Sequence, residues 1–501
     1  MKNKTEEIRV MLIHPPGTVY GSGLLKPSIP MGLLYISSFL KSKGVEVLFL
    51  DCLAGDLKRV EKKGKGRRYG MSAKKISKIV KKFEPQFVGI GNMFSAYFDD
   101  VVELSKLIKG VNKNIKVVVG GSHVSVNPVE VLKKKSIDIA VYGEGEETMW
   151  EIVKGKKINQ IKGIAYRNGN KVIKNEAHDL ISNLDRLPYP DWETLNYEKY
   201  VMGSSFNMRK PVFPLISSRG CPGHCLYCSV NAVWQHKWRG RSAVNLVDEM
   251  EYLIKNFGAK EFAFQDDSVS VDKKRLEEIC DEIIKRSLDI KWTTPNGIAH
   301  WTLTRALLVK MKRAGCYRIT FGIESGDPEL RRWVGKPYSL DQAKDLTKFA
   351  NRLGFWTLAT NIIGFPYETK ENIDNTFKFA LDSDVDLAFF FRLGLRPGTA
   401  IFEIFKKEGW LIKDRHMMLS EDATFQTKNF SAEEIVALQK QLYRNFLLRR
   451  WLNPFSLFRV INKIRSWEDL RYILGITYAG IKLNVNLLST KKGVTSKVLK
   501  V

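Results

Sequence analysis

Two long alternations of short apolar runs with amphipathic, helix-length segments organise the chain. From residue 8 to about 150 the runs are IRVMLI, EVLFLD, FVGIG, KVVVGG and IDIAVYG, separated by segments at 31–43, 72–82 and 97–109 in which apolar positions recur three and four residues apart. Runs apolar throughout, spaced by amphipathic helices, predict a doubly wound parallel sheet covered on both faces. Ligands of such sheets sit outside the carboxyl ends of the strands. Here those ends carry His14-Pro15-Pro16-Gly17, Gly91-Asn92-Met93-Phe94-Ser95 and Gly120-Gly121-Ser122-His123. Asn168-Gly169 between two alternating runs predicts a hairpin, and 184–193, with two prolines, reads as a connector. The second alternation begins at VFPLIS and runs through EFAFQ, KWTTPN, YRITFGI, FWTLATNIIG and DLAFFFRL, with helices at 243–257, 272–286, 303–313, 340–353 and 370–382. Six strand–helix units predict a partial β/α barrel with its active site at the strands' carboxyl ends. The expected fold class is therefore α/β: a Rossmann-like sheet over 1–150, hairpin and linker over 151–205, a TIM-like partial (β/α)6 barrel over 206–400, and a helical basic segment over 401–501.

Composition narrows this picture. Of 501 residues 44% are hydrophobic and 27% charged, which excludes a disordered or fibrous chain. No apolar stretch approaches the ~18–20 residues that cross a bilayer, and the start lacks the order of a signal peptide, so a soluble cytoplasmic protein is expected. Lys plus Arg number 81 against 54 Asp plus Glu, a net +27. That surplus points to an anionic partner such as phosphate, nucleic acid or a lipid surface, although a lysine-rich proteome would produce it too. Positions 441–501 hold 12 Lys or Arg against Glu468 and Asp469, interleaved with Tyr443, Phe446, Trp451, Phe455, Phe458, Trp467, Tyr472 and Tyr478. This tail suits peripheral contact with the inner membrane surface, or simply a helix packed on one face and solvated on the other. The basic, glycine-bearing run 57–70 is expected to be a mobile loop.

Six cysteines are too few for a disulfide scaffold, but Cys221, Cys225 and Cys228 crowd into eight positions at C-x3-C-x2-C spacing after the first barrel strand. Three thiolates suit an iron–sulfur cluster with one corner left open; a zinc site needs a fourth ligand, for which His224 and His236 stand nearby. Cys52, Cys280 and Cys316 stand alone and are expected to be structural. The Cys221–Cys228 cluster resembles the signature of the radical S-adenosylmethionine (SAM) enzymes. The resemblance implies that these cysteines hold a 4Fe-4S cluster, that SAM chelates the free iron, and that Tyr227 lies near the adenine. Further segments at barrel strand ends are similar to the family: Phe264-Gln265-Asp266-Asp267, Pro295-Asn296-Gly297, Gly322-Ile323-Glu324-Ser325-Gly326, Ile363 to Thr369, and Arg396 to Thr399. They imply SAM contacts for Asp267, Asn296, Glu324 and Gly364, with helix capping as the other role open to Asp267 and to Glu368-Thr369.

The amino-terminal sheet resembles the cobalamin-binding domain of cobalamin-dependent radical SAM enzymes, a group that includes methyltransferases and relatives of the anaerobic magnesium-protoporphyrin monomethyl ester cyclase. The resemblance rests on Ser95, Gly120, Gly121, His123, Pro128 and Tyr142-Gly143-Glu144-Gly145-Glu146. It implies cobalamin contacts for Ser95, Gly120, Gly121 and His123. One departure stands out: no Asp lies two places before His14, so the lower histidine ligand of other cobalamin domains is not expected. The function implied is methylation of an unactivated carbon of a small, anionic or lipid-like substrate, with a ferredoxin or flavodoxin as reductant. The rival readings are cyclisation, oxidation or carbon–carbon coupling with the same cofactors, and a non-catalytic binding protein on the same scaffold. Nucleic acid is not the expected partner.

Overall fold

The computed structural model describes residues 8–20, 27–200, 207–412 and 424–489. The start of the chain and the last four lysines of the tail lie outside them.

The amino-terminal sheet has seven strands in the spatial order Lys171–Lys174, Ile164–Asn168, Ile139–Val141, Lys116–Gly120, Phe87–Gly91, Arg9–His14 and Glu46–Asp51. The five lying from Ile139–Val141 to Glu46–Asp51 are mutually parallel, and the hairpin adds an antiparallel edge. Side chains of a strand alternate between faces, and the central strand shows it. Val10 and Leu12 pack with the helices Met31–Ser42 and Glu146–Val153, while Met11 and Ile13 pack with Ala73–Phe83 and Phe98–Val111. Strand order reverses between Arg9–His14 and Phe87–Gly91, which opens a crevice at the ends of both.

The run 57–70 is not a loop. It forms a hairpin, Val60–Lys63 and Gly66–Tyr69, that joins Gly17–Tyr20 in a three-stranded antiparallel sheet. Its charges have partners far along the chain: Lys63 meets Asp100 at 3.0 Å and Glu103 at 2.7 Å, and Arg68 meets Glu103 at 2.8 Å.

The second sheet holds six parallel strands in chain order: Val212–Leu215, Glu261–Phe264, Lys291–Ile298, Cys316–Glu324, Trp356–Ile363 and Leu387–Arg392. Each intervening helix begins where a short polar side chain accepts a bond from the third backbone N–H beyond it: Ser242, Asp272, Thr304, Ser339 and Thr369. The helix Ala432–Trp451 packs on the last strand, with Gln439 Nε2 donating to the Phe390 carbonyl at 2.7 Å. The connector is a wedge between the two sheets, with Trp192 buried against Phe213 and donating to Glu249 at 3.0 Å. One apolar core therefore runs from Leu34 through Trp192 into the barrel. Of the tail aromatics, Phe446 and Tyr472 are buried, whereas Phe455, Phe458, Trp467 and Tyr478 are exposed. Among the described residues no helix is long and apolar enough to cross a membrane.

Candidate active site

The cysteine loop leaves the barrel at Arg219 and is held from several sides. Gly220 has φ +90°, and a Cβ there would lie 2.0 Å from the Lys237 carbonyl oxygen, so only glycine can make the turn. Its N–H donates to Asp267 at 3.1 Å. Deeper in the loop, Asn231 donates to the Gly223 carbonyl at 2.6 Å, Leu226 N–H to Val334 at 3.0 Å and Ile401 N–H to Leu226 at 3.2 Å. The loop is thus clamped by the segments after the fourth and sixth strands, and its three thiols stay half-buried.

Burial pushes the pKa of Cys221 and Cys225 up and that of Cys228 up to about 11. Bare thiols here are protonated, and a metal centre is what would hold them as thiolates. The donor set fits a cluster with one open corner. It does not fit zinc: His224 and His236 stack on each other at 4.2 Å, and His236 Nδ1 lies 3.2 Å from the Gly223 carbonyl oxygen. Among the described residues no three Cys, His, Asp or Glu side chains converge as one ion would require.

Around the thiols the barrel mouth gathers the other expected residues in differing roles. Tyr227 packs on Phe365 at 6.0 Å and bonds to Cys225; burial, then the charge of Glu324, holds its phenol well above the ordinary range. Glu324 sits at a break in strand register with φ +65°, unusual for a residue with a side chain, and pairs with Lys336 at 2.7 Å. Asn296 is exposed in the mouth, its amide 3.4 Å from the Asp266 carbonyl. Asp266 is buried and accepts from the Ser217 N–H and from both the Ser217 and Ser218 hydroxyls, a structural role. Asp267 does not cap the next helix, because Asp272 does; it steadies Gly220. Gly364 has a packing role of its own. A Cβ there would meet the Phe425 ring at 3.0 Å and Ile435 at 3.6 Å, so its smallness serves the docking of the carboxy-terminal segment.

At the edge of the amino-terminal sheet, Gly121 has φ +115°, and a Cβ would lie 2.5 Å from the Asn92 carbonyl oxygen. Gly120 is not crowded in this way: its Cβ would find only Val141, at 3.6 Å. His123 is buried, its ring tilted at 45° to that of Phe98 with centroids 4.8 Å apart, and its Nδ1 lies 2.8 Å from the Ser95 hydroxyl. Asn92, 2% exposed, has neither amide atom hydrogen-bonded, while Met93 and Phe94 beside it are exposed. A buried unsatisfied amide with exposed apolar neighbours at a switch-point crevice is a binding surface lacking its occupant's polar groups, which fits a large amide-rich cofactor. His14 is engaged elsewhere, 3.0 Å from Asp51, which also accepts from Tyr200 at 2.6 Å.

These two edges face each other. The short helix Ser122–Val126 packs on Val230–Trp234, which follows the cysteine loop, and a Cβ on Gly398 would lie 2.5 Å from Val126. Glu144 and Glu146 bind across to the barrel. Both are buried against Arg219, each at 2.7 Å, and Glu144 also takes Arg239 at 2.8 Å, so the residue two places before Cys221 is bolted to the other sheet. Sequence reading placed Asn92 in a strand-end loop without singling it out, and it missed this clamp; an arginine beside a cysteine motif and a Glu-x-Glu after a strand were the available signals, but nothing local pairs them.

The sequence profile of the radical SAM superfamily matches residues 215–380, and that of the B12 binding domain matches residues 18–153. The chain is 33% identical over 426 residues to an uncharacterised methyltransferase of Pyrococcus horikoshii, covering 84% of this chain and 88% of that one. It is 30% identical over 485 residues to the cytidylyl-2-hydroxyethylphosphonate methyltransferase of Streptomyces wedmorensis, covering 88% and 90%. Among solved structures, the radical SAM methyltransferase TsrM of Kitasatospora setae, with tryptophan and a SAM analogue bound, superposes with TM-score 0.66 at 18% identity, covering 81% of this chain and 77% of that one. The cobalamin-dependent radical enzyme OxsB, with aqua-cobalamin and SAM bound, gives 0.65 at 16%, covering 97% and 74%. At these identities the two structures speak for the fold.

Proposed function

The chain belongs to the radical SAM superfamily, in the group whose members also carry a B12-binding domain, and we propose that it methylates an unactivated carbon of a small, anionic substrate. The observation that carries this reading is the apposition of the Gly121–Val126 edge to the segments flanking the cysteine loop, which puts the two candidate cofactor surfaces at one shared mouth. Bound there, a 4Fe-4S cluster with SAM would supply a carbon-centred radical and cobalamin a transferable methyl group.

The chain's own residues hold and exclude. Cys221, Cys225 and Cys228 would ligate three irons. Tyr227, backed by the buried Phe365, would wall one side of the mouth, and the Glu324–Lys336 pair sets polar groups beside it for a zwitterionic ligand. Asp267 fixes the Gly220 turn, and Arg219 ties the loop to the B12-binding sheet. Asn92, Ser95 and the Gly121 turn would receive cobalamin, with His123 oriented by Ser95 and Phe98. The anionic substrate class draws on the +27 charge and on the cytidylyl phosphonate named for the Streptomyces relative. A ferredoxin or flavodoxin would supply electrons.

Oxygen-free purification tests the premise. Iron, sulfide and corrinoid should co-purify, and Cys225→Ala should lose the iron and sulfide while keeping corrinoid. Sulfide-free wild-type protein would end the proposal. With a substrate in hand, label from the SAM methyl group should appear in the product; turnover without label would favour cyclisation, oxidation or coupling.

A further inference from the structure

The opposite end of the barrel carries a feature that this chemistry does not use. A cavity of about 390 Å³ opens between the amino-terminal ends of the last strands and the helix Pro454–Lys463, lined by Lys348, Arg352, Asp384, Arg459, Lys463 and Arg465 among others. Its carboxylates are already taken. Asp384 is shared by Arg459 at 3.0 Å and Arg450 at 3.4 Å, and Lys463 is buried on Asp386 at 2.6 Å. Lys348, Arg352 and Arg465 have no carboxylate of their own among the described residues, and the buried Nε of Arg459 has no acceptor. Such a site is built for an anion.

The surface around it is apolar. On the same helix Phe455 is 82% exposed, Phe458, which lines the cavity, 65% and Ile461 63%, spaced three apart along one face; Leu452 just before it is exposed too. Trp467, Leu474 and Tyr478 continue as an exposed stripe on the following helix, Trp467–Ser489. Cations beside exposed aromatic and aliphatic side chains on one helix are the make-up of an interfacial segment.

We propose that this end of the barrel docks on an anionic phospholipid bilayer, with headgroup phosphate in the Arg352–Arg459–Arg465 cavity and Phe455 and Phe458 at the acyl boundary. Nucleic acid would use the cations and stack on the rings, but Leu452 and Ile461 offer it nothing, whereas lipid uses all of them. The cavity lies where the strands Trp356–Ile363 and Leu387–Arg392 begin, and the cysteine loop lies where strands end. Strands of 8 and 6 residues put the two about 20–25 Å apart. The contact is therefore a tether. The mouth points away from the bilayer, and the substrate enters from the water side.

The test is cosedimentation of the full-length, cofactor-loaded protein, without oxygen, with vesicles of phosphatidylcholine alone or mixed with phosphatidylglycerol. Mixed vesicles should bind at least about tenfold more tightly, and salt should weaken the binding. Phe455→Ser/Phe458→Ser and Arg352→Gln/Arg465→Gln should each weaken it by about tenfold or more, with iron content and melting temperature at the wild-type level. If a double variant melts early, Phe455→Ser alone supplies the readout, since that side chain stands in solvent. Equal binding to both vesicle types, variants that bind like wild type, or tight binding of single-stranded RNA without vesicle binding would each overturn the proposal.

Discussion

Glu368 is fully buried where the fifth barrel strand ends, and its Oε2 accepts the Gly364 N–H at 2.6 Å and the Phe365 N–H at 3.3 Å. Burial raises its carboxyl from 4.5 to about 8 and outweighs the two bonds that act to lower it. In the folded protein the group therefore keeps a proton that the unfolded chain has released above about pH 4.5. Stability from this group is full at low pH, falls as pH rises through about 4.5 to 8, and stays reduced above that. Glu368→Gln keeps a carbonyl for both N–H groups and cannot ionise. Its stability should match wild type near pH 5 and exceed it increasingly toward pH 9, by on the order of a few kcal/mol, read as a rising difference in melting temperature. Parallel melting curves across that range would contradict the assignment. In the sequence the pair Glu368-Thr369 reads as a helix cap; Thr369 is that cap, in a box with Asn372, and Glu368 turns inward instead. The turn that carries it is met by a segment some 60 residues away, where Asn429 donates to the Glu368 carbonyl at 2.9 Å, and local pattern does not carry that information.

At the scale of elements, regular structure was legible and charge pairing was not. Apolar runs and short polar caps fix the strands and barrel helices, because both signals act within a few residues. The hairpin at 57–70 reads as a loop because its charges find Asp100 and Glu103 only after the chain has folded back. The same blindness hid the link between Arg219 and the Glu144/Glu146 pair, whereas the cysteine loop was visible since its three thiols are neighbours in sequence. That link is more than a surface bridge. All three side chains are under 9% exposed, and removing one partner of a buried pair costs about 3–5 kcal/mol, mostly because the other charge is stranded. Arg219→Met should thus lower the melting temperature by several degrees and reduce iron retention, and added salt should change neither difference. Arg219→Lys, a single point charge, reaches one carboxylate and should fall between. A wild-type melting temperature in the Met variant would mean that Arg239 alone compensates Glu144.

For the whole molecule, the question is whether the two sheets act as one body. The apolar core is continuous through Trp192, and the sheets also touch at their candidate cofactor edges, where Val126 meets the Gly398 turn. A ligand that binds only the folded state stabilises whatever unfolds together with its site, by ~2.7 kcal/mol at 100 times its dissociation constant. Hydroxocobalamin binds, on the reading above, to the amino-terminal sheet alone. If the interface makes unfolding cooperative, the corrinoid should raise the temperature at which the barrel loses its iron absorbance as much as it raises loss of helical signal. Val126→Asp places a charge in a gap where even one added methyl group on Gly398 would clash, and leaves the residues that would bind each cofactor intact. In that variant the corrinoid should still bind and raise the amino-terminal transition, but the iron absorbance should melt at its cofactor-free temperature. Equal shifts of both signals in the variant would show that the Trp192 core and the Arg219 clamp couple the sheets without the apposed edges.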